Sequence, residues 1–582
     1  MDSSDKLVHT MTAKEPTGNL WQRTSTWFCL STVGVLCVLI INFVDQGHAR
    51  IVEPDEAAWI YSGYFYHLAF QKQDLGSADW KHRDCLDHPP VAKYVFGAVA
   101  AFDGYVVDSV DLKEWLFDVH FHVNPRTITQ ALHDEIPQST LYRGRLASTA
   151  LFALSCTILF WIGAAAFGPR TAALAAILTA TCPIVLDLSS KVMAEAPLFL
   201  LLLLLVWAQI GWLKHRDGTI RSLAWRAIWI GMLIAFLANT KLNGLVGLPC
   251  ALGAIVASIP LWMLHARDEA TLTTSRMLAG ALLSATLVTA AFLIALIAIN
   301  PSLYSDPIEF VHGMFEHRWQ RLNFQMKAYY LGSLPSGSLV MAGVVRGLLF
   351  ANDWLFAWWS IPVLLFLFLL GVGGLPADFA RSRHGVLVVL LNFAVWGSAT
   401  FYTYRMDWDR YLLPLVPFVM LLAAAGVTHC FRMLRDLGRP AHRLGWVLFA
   451  AVVTAGLSWF QGRWTIQNQL DRDPRPLIDA YRQAMLLKPD HAAGYIRLGQ
   501  VLLAVQENVD EAKRMYLRGL ELNPDYAEGH QGLGEILLLQ NQPTKGLTHL
   551  RRSLELYPDN PSALIATANA LLQMDQVEAQ AG

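Results

Sequence analysis

Apolar runs as long as a bilayer is thick dominate the first 460 residues of the chain. A helix that crosses a membrane needs about twenty mostly apolar residues, and on this criterion the hydropathy pattern predicts about eleven spans. A shorter apolar stretch at 339–350 contains Arg346 and is interpreted as interfacial. The predicted spans lie near 27–44, 146–166, 171–187, 196–213, 224–240, 243–264, 277–299, 353–372, 385–403, 410–430 and 443–460.

The pattern changes to a repeat in the last part of the chain. Three similar segments carry Pro489, Pro524 and Pro558, which are spaced 35 and 34 residues apart, and a Leu-Gly pair recurs in the first two. A period of about 34 residues, with proline ending each pair of helices, is the tetratricopeptide pattern. The sequence therefore predicts an α-solenoid at 474–582, after a linker at 461–473. Such solenoids bind peptides or partner proteins, and the alternative is a domain that only caps the fold.

Composition and charge fit this division. Hydrophobic residues make up 54% of the chain and charged residues 16%, and the mean hydropathy is +0.36. These values are typical of a membrane protein. The formal net charge of −1 gives no indication of a nucleic-acid partner. The seven cysteines form no Cys-x-x-Cys pair, so neither a disulfide framework nor a structural zinc site is predicted. The expected fold class is all-α: a polytopic membrane bundle followed by an α-solenoid.

Lysine and arginine in short loops predict the orientation, because such loops stay on the cytoplasmic side. With eleven spans, the basic loops all fall on one side, and the segment 1–26 joins them. The other side receives 45–145, which is the first external loop of a transmembrane domain at 27–460. The basic loops are those at Arg170, 214–226, 267–276, 381–383 and 432–443. The remaining external segments are 188–195, 300–338, 404–409 and everything after 461.

Two acids begin the first external loop. Asp55 and Glu56 open the segment PDEAAWIYSGYFYHLAF, in which six aromatic residues follow within a short distance. Aromatic side chains at the edge of a span are typical of a helix that lies in the membrane interface. The acids alone have a simpler explanation as anions that favour the N-terminus of this helix.

Further charged residues accumulate on the same predicted side. The segment DHPPVAK contains His88 and Lys93, the segment YRGRL contains Arg145 at the outer end of a span, and the segment KVMAEAP contains Glu195. Charged side chains at membrane depth are costly and usually functional. Together they predict an external pocket that holds both acids and cations.

A pocket of this kind suits a sugar linked to a lipid phosphate. The phosphate needs Lys or Arg, and an attacking hydroxyl needs a carboxylate that accepts its proton. The lipid tail needs a groove between spans. This combination favours an enzyme that transfers the sugar at the outer face of the membrane.

At this point the sequence resembles a known family. The segments PDEAAWIYSGYFY, DHPPVAKYVFGAVA, RLASTALFA, AEAPLFL, LANTKLNGL and RYLLPLVPF are similar, in order, to motifs of the protein O-mannosyltransferases and aminoarabinose transferases. These are GT-C glycosyltransferases that use polyprenyl-phosphate sugars. The resemblance covers residues of about 25–460. The order of the motifs is specific to the family, whereas no single motif is specific by itself.

The resemblance assigns roles to individual residues. It implies that the catalytic acids are Asp55 and Glu56, with Asp55 as the general base. It implies that the donor phosphate and sugar are bound by His88, Lys93, Arg145, Glu195 (in place of the more usual Asp), Lys241 and Arg410. In the family, the loop after the seventh span covers the site, which makes His317 and Arg318 further candidates.

The tail departs from the fungal mannosyltransferases, whose β-trefoil domain no loop here is long enough to hold. It resembles the repeat-bearing O-mannosyltransferases of animals and some bacterial relatives. The shorter chain and the Ala- and Leu-rich spans favour a bacterial origin. The expected location is then the bacterial inner membrane, with site and repeats outside; in a eukaryote it is the membrane of the endoplasmic reticulum.

The predicted function is transfer of a mannose-like hexose or a pentose from a polyprenyl-phosphate donor to a hydroxyl, with Ser or Thr of exported proteins as acceptor. One alternative is a lipid or polysaccharide glycan as acceptor. Another is a polytopic transporter or a scaffold whose repeats recruit a partner. No cofactor is predicted with certainty. The segment HRDCLDH at 82–88 offers ligands for a divalent metal, but its spacing matches no standard site.

Overall fold

In the computed structural model, the described residues form helices joined by turns and short irregular segments. Every element of regular secondary structure in them is a helix, which confirms the predicted all-α fold. They belong to two compact units, the first at Met1–Arg50, Asp55–Asp108 and Pro137–Leu437, and the second chiefly at Gly438–Gly582. The described residues are 17–46, 54–82, 85, 89–107, 136–214, 220–266, 274–328, 340–341, 363–403, 409–436, 478, 481–482, 485–486, 489–490, 492–505, 509–556 and 561–581.

The first unit is a bundle of long helices with shorter helices between them. Its α-helices are α1 Thr17–Gln46, α2 Pro54–Tyr61, α3 Gly63–Tyr66, α4 Pro90–Phe102, α5 Gln138–Ala166, α6 Pro169–Ala180, α7 Pro183–Ser189, α8 Glu195–Lys214, α9 Ile220–Ala238, α10 Gly247–Ala266, α11 Thr274–Ile299, α12 Pro307–Ala328, α13 Val363–Arg381, α14 Arg383–Thr403 and α15 Val416–Asp436. A π-helical turn at His67–Gln71 continues α3, and a 3₁₀-helix at Asp409–Leu415 precedes α15.

Eight helices in the described part of the chain are long and apolar enough to cross a membrane. Each coincides with a predicted span, which confirms a polytopic helical fold. Of the other predictions, 353–372 lies partly outside the described residues, because α13 begins at Val363. The span at 443–460 lies wholly outside them. The eight helices fall at Thr24–Val44, Gln138–Ala166, Glu195–Lys214, Ile220–Ala238, Leu242–Pro260, Met277–Ile299, Arg383–Tyr402 and Arg410–Asp436.

The predicted span at 171–187 is not one continuous helix in the structure. The chain forms α6, leaves the helical conformation at Cys182 (φ −63°, ψ 129°), and starts again as α7. Pro183 explains the break: its ring disfavours a helical conformation in the preceding residue, and it has no N–H to donate to the previous turn. Proline is favoured at the first position of a helix, so the same residue ends α6 and begins α7.

Helix α5 is the centre of the first unit. It packs against α1, α4, α6, α7, α8 and α14. Its first turn is also attached to the end of α4, because Asp103 accepts hydrogen bonds from Ser139 (2.6 Å) and Thr140 (2.5 Å) and pairs with Arg143 (2.6 Å). These hydrogen bonds, with the arginine, lower the pKa of the Asp103 carboxyl. The end of α4 is therefore anchored to the start of the central helix.

Helices α3 and α4 cross with their backbones in contact. A Cβ atom at Gly97 would lie 2.9 Å from the Gly63 Cα and would overlap the Tyr66 Cβ. A side chain at Gly97 would not fit without a shift of the helices, and a Cβ at Gly63 would lie 3.1 Å from the Gly97 Cα, closer than ordinary van der Waals contact. The crossing brings Lys93, one turn before Gly97, under the ring of Phe65.

The second unit contains helices at the positions predicted for the repeats. They are α16 Ala492–Val505, α17 Val509–Leu522, α18 Ala527–Leu539, α19 Pro543–Leu556 and α20 Pro561–Ala581. Their core includes Ile496, Leu498, Leu502 and Tyr516. A Cβ at Gly532 would overlap the Tyr516 ring, so small residues alternate with large ones between neighbouring helices. The tetratricopeptide assignment stays a prediction.

We expect Gly97→Ala to destabilise the protein, because the added methyl group meets the backbone of Gly63, which cannot rotate away. Overpacking of this kind costs about 1–3 kcal/mol. Thermal unfolding of the purified protein in detergent should show a lower midpoint. Gly280→Ala in α11 is the matched control: it has nothing within 4 Å of the new Cβ and should keep or raise the midpoint. Equal midpoints for Gly97→Ala and the parent would contradict the backbone contact.

Candidate active site

A buried ion pair joins α2 to α5. The Arg145 Nε and Nη2 donate to the Glu56 Oε1 and Oε2 at 2.9 and 2.7 Å. The side chains of Arg145 and Glu56 are 1% and 0% exposed. Two parallel charge-assisted hydrogen bonds fix both distance and orientation. The pair therefore holds the N-terminal end of α2 at a defined place against α5.

A third donor brings in the segment between α7 and α8. The Val192 backbone N–H donates to the Glu56 Oε1 at 3.0 Å. Val192 can approach because its neighbour on α5 is Gly144, where a Cβ would lie 2.7 Å from the Val192 Cγ2. Glu56 therefore ties three segments together, and both of its carboxylate oxygens are engaged.

Asp55 directly precedes Glu56 in the first turn of α2. Its side chain and the whole of His88 lie outside the described residues. Their predicted roles as base and donor ligand stay predictions.

Lys93 is fully buried on α4. Its Nζ lies 4.1 Å from the centroid of the Phe65 ring and 3.7 Å from the Cys85 Sγ. An aromatic face attracts an ammonium group, and more strongly where water is excluded.

Helix α4 is itself fixed, because the Tyr94 hydroxyl donates to the Ile299 carbonyl at 3.2 Å.

A second group of charges surrounds Tyr411, and we call it the Tyr411 cluster. Lys241 pairs with Glu195 at 2.5 Å and lies 5.5 Å from the centroid of the Tyr411 ring. Arg410 lies 5.7 Å from the same centroid. Arg318 of α12 donates to the Tyr411 hydroxyl at 3.4 Å. The cluster thus holds three cations and one carboxylate.

The two groups of charges lie at the same end of the first unit. Val192, which donates to Glu56, is three residues before Glu195 of the Tyr411 cluster. The structure therefore brings together five of the eight residues predicted from sequence: Glu56, Arg145, Glu195, Lys241 and Arg410. Lys93 contacts Phe65 and Cys85 instead.

Sequence reasoning missed three contributors. Tyr411 follows Arg410 in the segment RYLLPLVPF, and its position beside that arginine is the signal that points to it. Gly144 lies between the two arginines of the segment YRGRL, and its place beside Arg145 is a signal in the sequence too. Nothing in the sequence indicates that the Val192 backbone N–H donates to Glu56, because that contact depends on packing across the fold.

A metal site is not apparent in the part of the chain that the structure describes. No group of three or more His, Cys, Asp and Glu residues is placed there to hold an ion. Most of the predicted segment 82–88 lies outside the described residues, so the metal prediction is untested.

Comparison with known proteins gives matches among solved structures only. No protein-family model matches the chain, and no curated protein does. ArnT from Cupriavidus metallidurans bound to undecaprenyl phosphate is 14% identical, with a TM-score of 0.40 over 93% of this chain and 77% of that one. The Archaeoglobus fulgidus oligosaccharyltransferase in the apo form is 11% identical, with a TM-score of 0.41 over 74% of this chain and 54% of that one.

A third solved structure matches less of the chain. The protein O-mannosyltransferase Pmt1-Pmt2 complex of S. cerevisiae bound to the sugar donor is 15% identical, with a TM-score of 0.34 over 48% of this chain and 34% of that one. The chain thus spans about half of the oligosaccharyltransferase and a third of the mannosyltransferase. At such identities and TM-scores, the similarities carry no argument about this protein.

We expect Glu56→Gln to lower the free energy of unfolding by about 3–5 kcal/mol, because it removes the charged carboxylate that Arg145 binds through two buried hydrogen bonds. The measurement is thermal unfolding in detergent. Exposed Glu309 of α12 supplies the control, and Glu309→Gln should leave the midpoint unchanged.

A double variant sharpens this test. Glu56→Gln combined with Arg145→Gln removes both members of the buried pair and should unfold at a higher temperature than Glu56→Gln alone. A single variant as stable as the parent would show that the pair does not hold α2 and α5 together.

Proposed function

We propose that the protein is a membrane glycosyltransferase that moves a sugar from a polyprenyl-phosphate donor to an acceptor hydroxyl. The observation that carries the proposal is the Tyr411 cluster. Its three cations and one carboxylate lie at one end of a bundle of apolar helices, beside the buried pair of Glu56 and Arg145. The phosphodiester of the donor and the phosphate monoester that leaves are both anions and need positive charge, and the lipid needs apolar helices around it.

The donor phosphate binds among the cations of the Tyr411 cluster. Glu195 pairs with Lys241, and Arg410 and Arg318 are the further cations of the cluster; positive groups of this kind suit the charge of a phosphate monoester leaving group. We include Lys93 and His88 in the donor site on the strength of the sequence motif. The cluster stabilises the negative charge that develops on the phosphate oxygen as it leaves.

Asp55 is the general base. Glu56 is a poor candidate, because Arg145 and the Val192 N–H already bind its carboxylate, and protonation would break those bonds. We therefore assign Glu56 and Arg145 to positioning: they fix the first turn of α2 and with it the backbone of Asp55. The two neighbouring acids thus have different roles: Asp55 accepts a proton, and Glu56 keeps its charge to bind Arg145.

The transfer is a displacement at the anomeric carbon. The acceptor oxygen forms a bond to that carbon while the bond between the carbon and the phosphate oxygen breaks. Asp55 accepts the proton of the attacking hydroxyl, and the electron pair of the broken bond leaves with polyprenyl phosphate. No oxidant, reductant or cofactor is needed for this balance, and a divalent ion near 82–88 is not assigned a step.

The finer assignments follow the motifs. We propose a mannose-like hexose or a pentose as the sugar, Ser or Thr of an exported protein as the acceptor, and the C-terminal repeats as the part that binds the acceptor or a partner protein. The proposed location is the bacterial inner membrane, with site and repeats on the external side. A glycan acceptor, or a transporter or scaffold, are the outcomes that would replace this proposal.

We expect Asp55→Asn to reduce kcat by about 10²–10⁴-fold, because an amide cannot accept the acceptor proton. Donor binding and thermal stability should stay close to those of the parent. The assay uses the purified full chain with polyprenyl-phosphate mannose, then a polyprenyl-phosphate pentose, and a Ser/Thr peptide. Near-normal turnover in Asp55→Asn would remove the base from this position, and absence of transfer by the parent with every donor and acceptor would favour a transporter or scaffold.

We expect Lys241→Gln to weaken binding of polyprenyl phosphate by about 10–100-fold, the range for loss of one charge-assisted hydrogen bond. Lys72→Gln is the control, because Lys72 is an exposed cation outside the Tyr411 cluster. Equilibrium binding to each variant in detergent measures the effect without any chemical step. Equal affinities for Lys241→Gln and Lys72→Gln would exclude the Tyr411 cluster as the phosphate site.

A further inference from the structure

Helix α12 starts beside the end of a membrane-spanning helix. It packs against the 3₁₀ turn at Pro301–Leu303, which directly follows α11. The Tyr304 hydroxyl donates to the Ala298 carbonyl at 2.9 Å, which attaches the connection to the end of α11. Asp306 begins α12 in the manner of an N-cap residue, because its Oδ1 accepts from the Glu309 N–H at 3.0 Å. The start of α12 is therefore fixed at the end of α11.

A second contact fixes α12 further along its length. Eleven residues after its first residue, the Arg318 Nη2 donates to the Tyr411 hydroxyl at 3.4 Å. At the rise of an α-helix, this contact lies about 16 Å from the start of α12. Tyr411 stands at the beginning of the apolar helical stretch Arg410–Asp436, which is long enough to cross a membrane.

Both contacts lie at the same end of the first unit. The Asn239 side chain donates to the Leu296 carbonyl at 3.1 Å, which places it at the end of α11. Lys241, two residues later, lies 5.5 Å from the centroid of the Tyr411 ring. Helix α12 therefore runs along the end of the bundle, from one membrane-spanning helix to another, and does not project away from it.

The side chains of α12 fall into three sectors around its axis, since successive residues are turned by about 100°. The first sector faces the protein, with Met314 buried and Arg318 half-buried. The second sector, which we call the α12 flank, is apolar and exposed: Ile308 is 83%, Phe315 51% and Trp319 65% exposed. The third sector is polar and exposed, and it consists of Glu309, His312, Glu316 and Gln320.

The order of the sectors indicates what covers the α12 flank. The flank lies between the protein-facing sector and the polar sector, on one side of the helix only. A helix at the surface of a bilayer meets protein, lipid and water in this order around its axis. A partner that approached from the water would instead meet the polar side chains. Exposed tryptophan and phenylalanine beside the ends of spans are typical of the membrane interface.

We propose that the α12 flank inserts into the interfacial region of the lipid bilayer at this end of the bundle. Ile308, Phe315 and Trp319 are then buried among the acyl chains and headgroups, while the polar sector stays in water. Arg318 directly precedes Trp319 in the chain, so an inserted flank holds this cation of the Tyr411 cluster in place. The inference goes beyond the proposed function and does not need glycosyl transfer.

The test measures which environment each side of α12 meets, using the purified full chain in phosphatidylcholine nanodiscs without donor. Single cysteines on α12 carry a nitroxide label. Electron paramagnetic resonance compares the collisions of each label with oxygen, which concentrates in lipid, and with a water-soluble nickel chelate. Cys29, Cys37 and Cys430 are first replaced by serine, because the other native cysteines are buried.

We expect the labels on the α12 flank to collide chiefly with oxygen. Labels at Ile308→Cys, Phe315→Cys and Trp319→Cys should show an oxygen-to-nickel collision ratio several-fold above that of the matched controls. The controls are Glu309→Cys and Glu316→Cys, which lie on the same helix but in the polar sector.

A further variant tests whether the apolar side chains cause the insertion. With the label at Phe315→Cys, the double substitution Ile308→Ser and Trp319→Ser should lower the ratio towards that of the controls. Leu539→Ser, which changes an exposed leucine of the second unit, should leave it unchanged.

The composition of the bilayer tests the apolar basis of the insertion. The polar sector contains two acids and neither Lys nor Arg, so it offers no cation for an anionic headgroup. We therefore expect the same pattern of collisions when phosphatidylglycerol replaces part of the phosphatidylcholine. A pattern that appears only with phosphatidylglycerol would contradict insertion by apolar contact.

Two other outcomes would overturn the proposal. Nickel collisions as frequent at the α12 flank as at the controls would place the flank in water. Exclusion of both oxygen and nickel from the flank would show that protein covers it. Because neither donor nor acceptor is present in the experiment, these results are independent of whether the protein transfers a sugar.

Discussion

The buried bidentate pair of Glu56 and Arg145 is the interaction on which the proposed site depends. Taking two charges out of water is expensive, and their attraction offsets that cost only with good geometry and further hydrogen bonds. Both conditions are met: the two distances are 2.9 and 2.7 Å, and the Val192 N–H supplies another donor. A single carboxylate therefore fixes the entry of α2, the start of α5 and the segment that leads into α8.

The charges at this end of the bundle divide into two groups with different physical character. The charges of Glu56 and Arg145 neutralise each other and are buried from water, so this pair fixes the relative positions of α2 and α5. The Tyr411 cluster carries more cations than anions, and the side chain of Lys241 is 23% exposed, so it can bind an anion from outside. Arg318 adds a cation from α12 and donates to the Tyr411 hydroxyl. Lys241 lies near the ring of the same tyrosine, so Tyr411 contacts cations from separate segments.

Much of this arrangement could be predicted from the sequence, for identifiable reasons. Long apolar runs give the spans directly, since little else explains them. Charged residues such as Arg145, Glu195 and Lys241 stand out because their surroundings are apolar. The partners were not predictable, because a pair 89 residues apart in the chain depends on how α2 and α5 pack. The break before Pro183 was missed for a different reason: the apolar run continues through it, and hydropathy does not register a missing N–H.

The crossing of Gly63 and Gly97 has a consequence for how this part of the chain can vary among related sequences. At most interfaces a larger residue on one helix is tolerated if a smaller one appears opposite. Here both helices already carry glycine, and the two backbones are in contact. A larger residue on one helix therefore cannot be compensated by a smaller one on the other. We therefore expect both glycines to stay unchanged, while substitutions elsewhere in α3 can be accommodated around the crossing. We would look there first for identical residues in distant relatives.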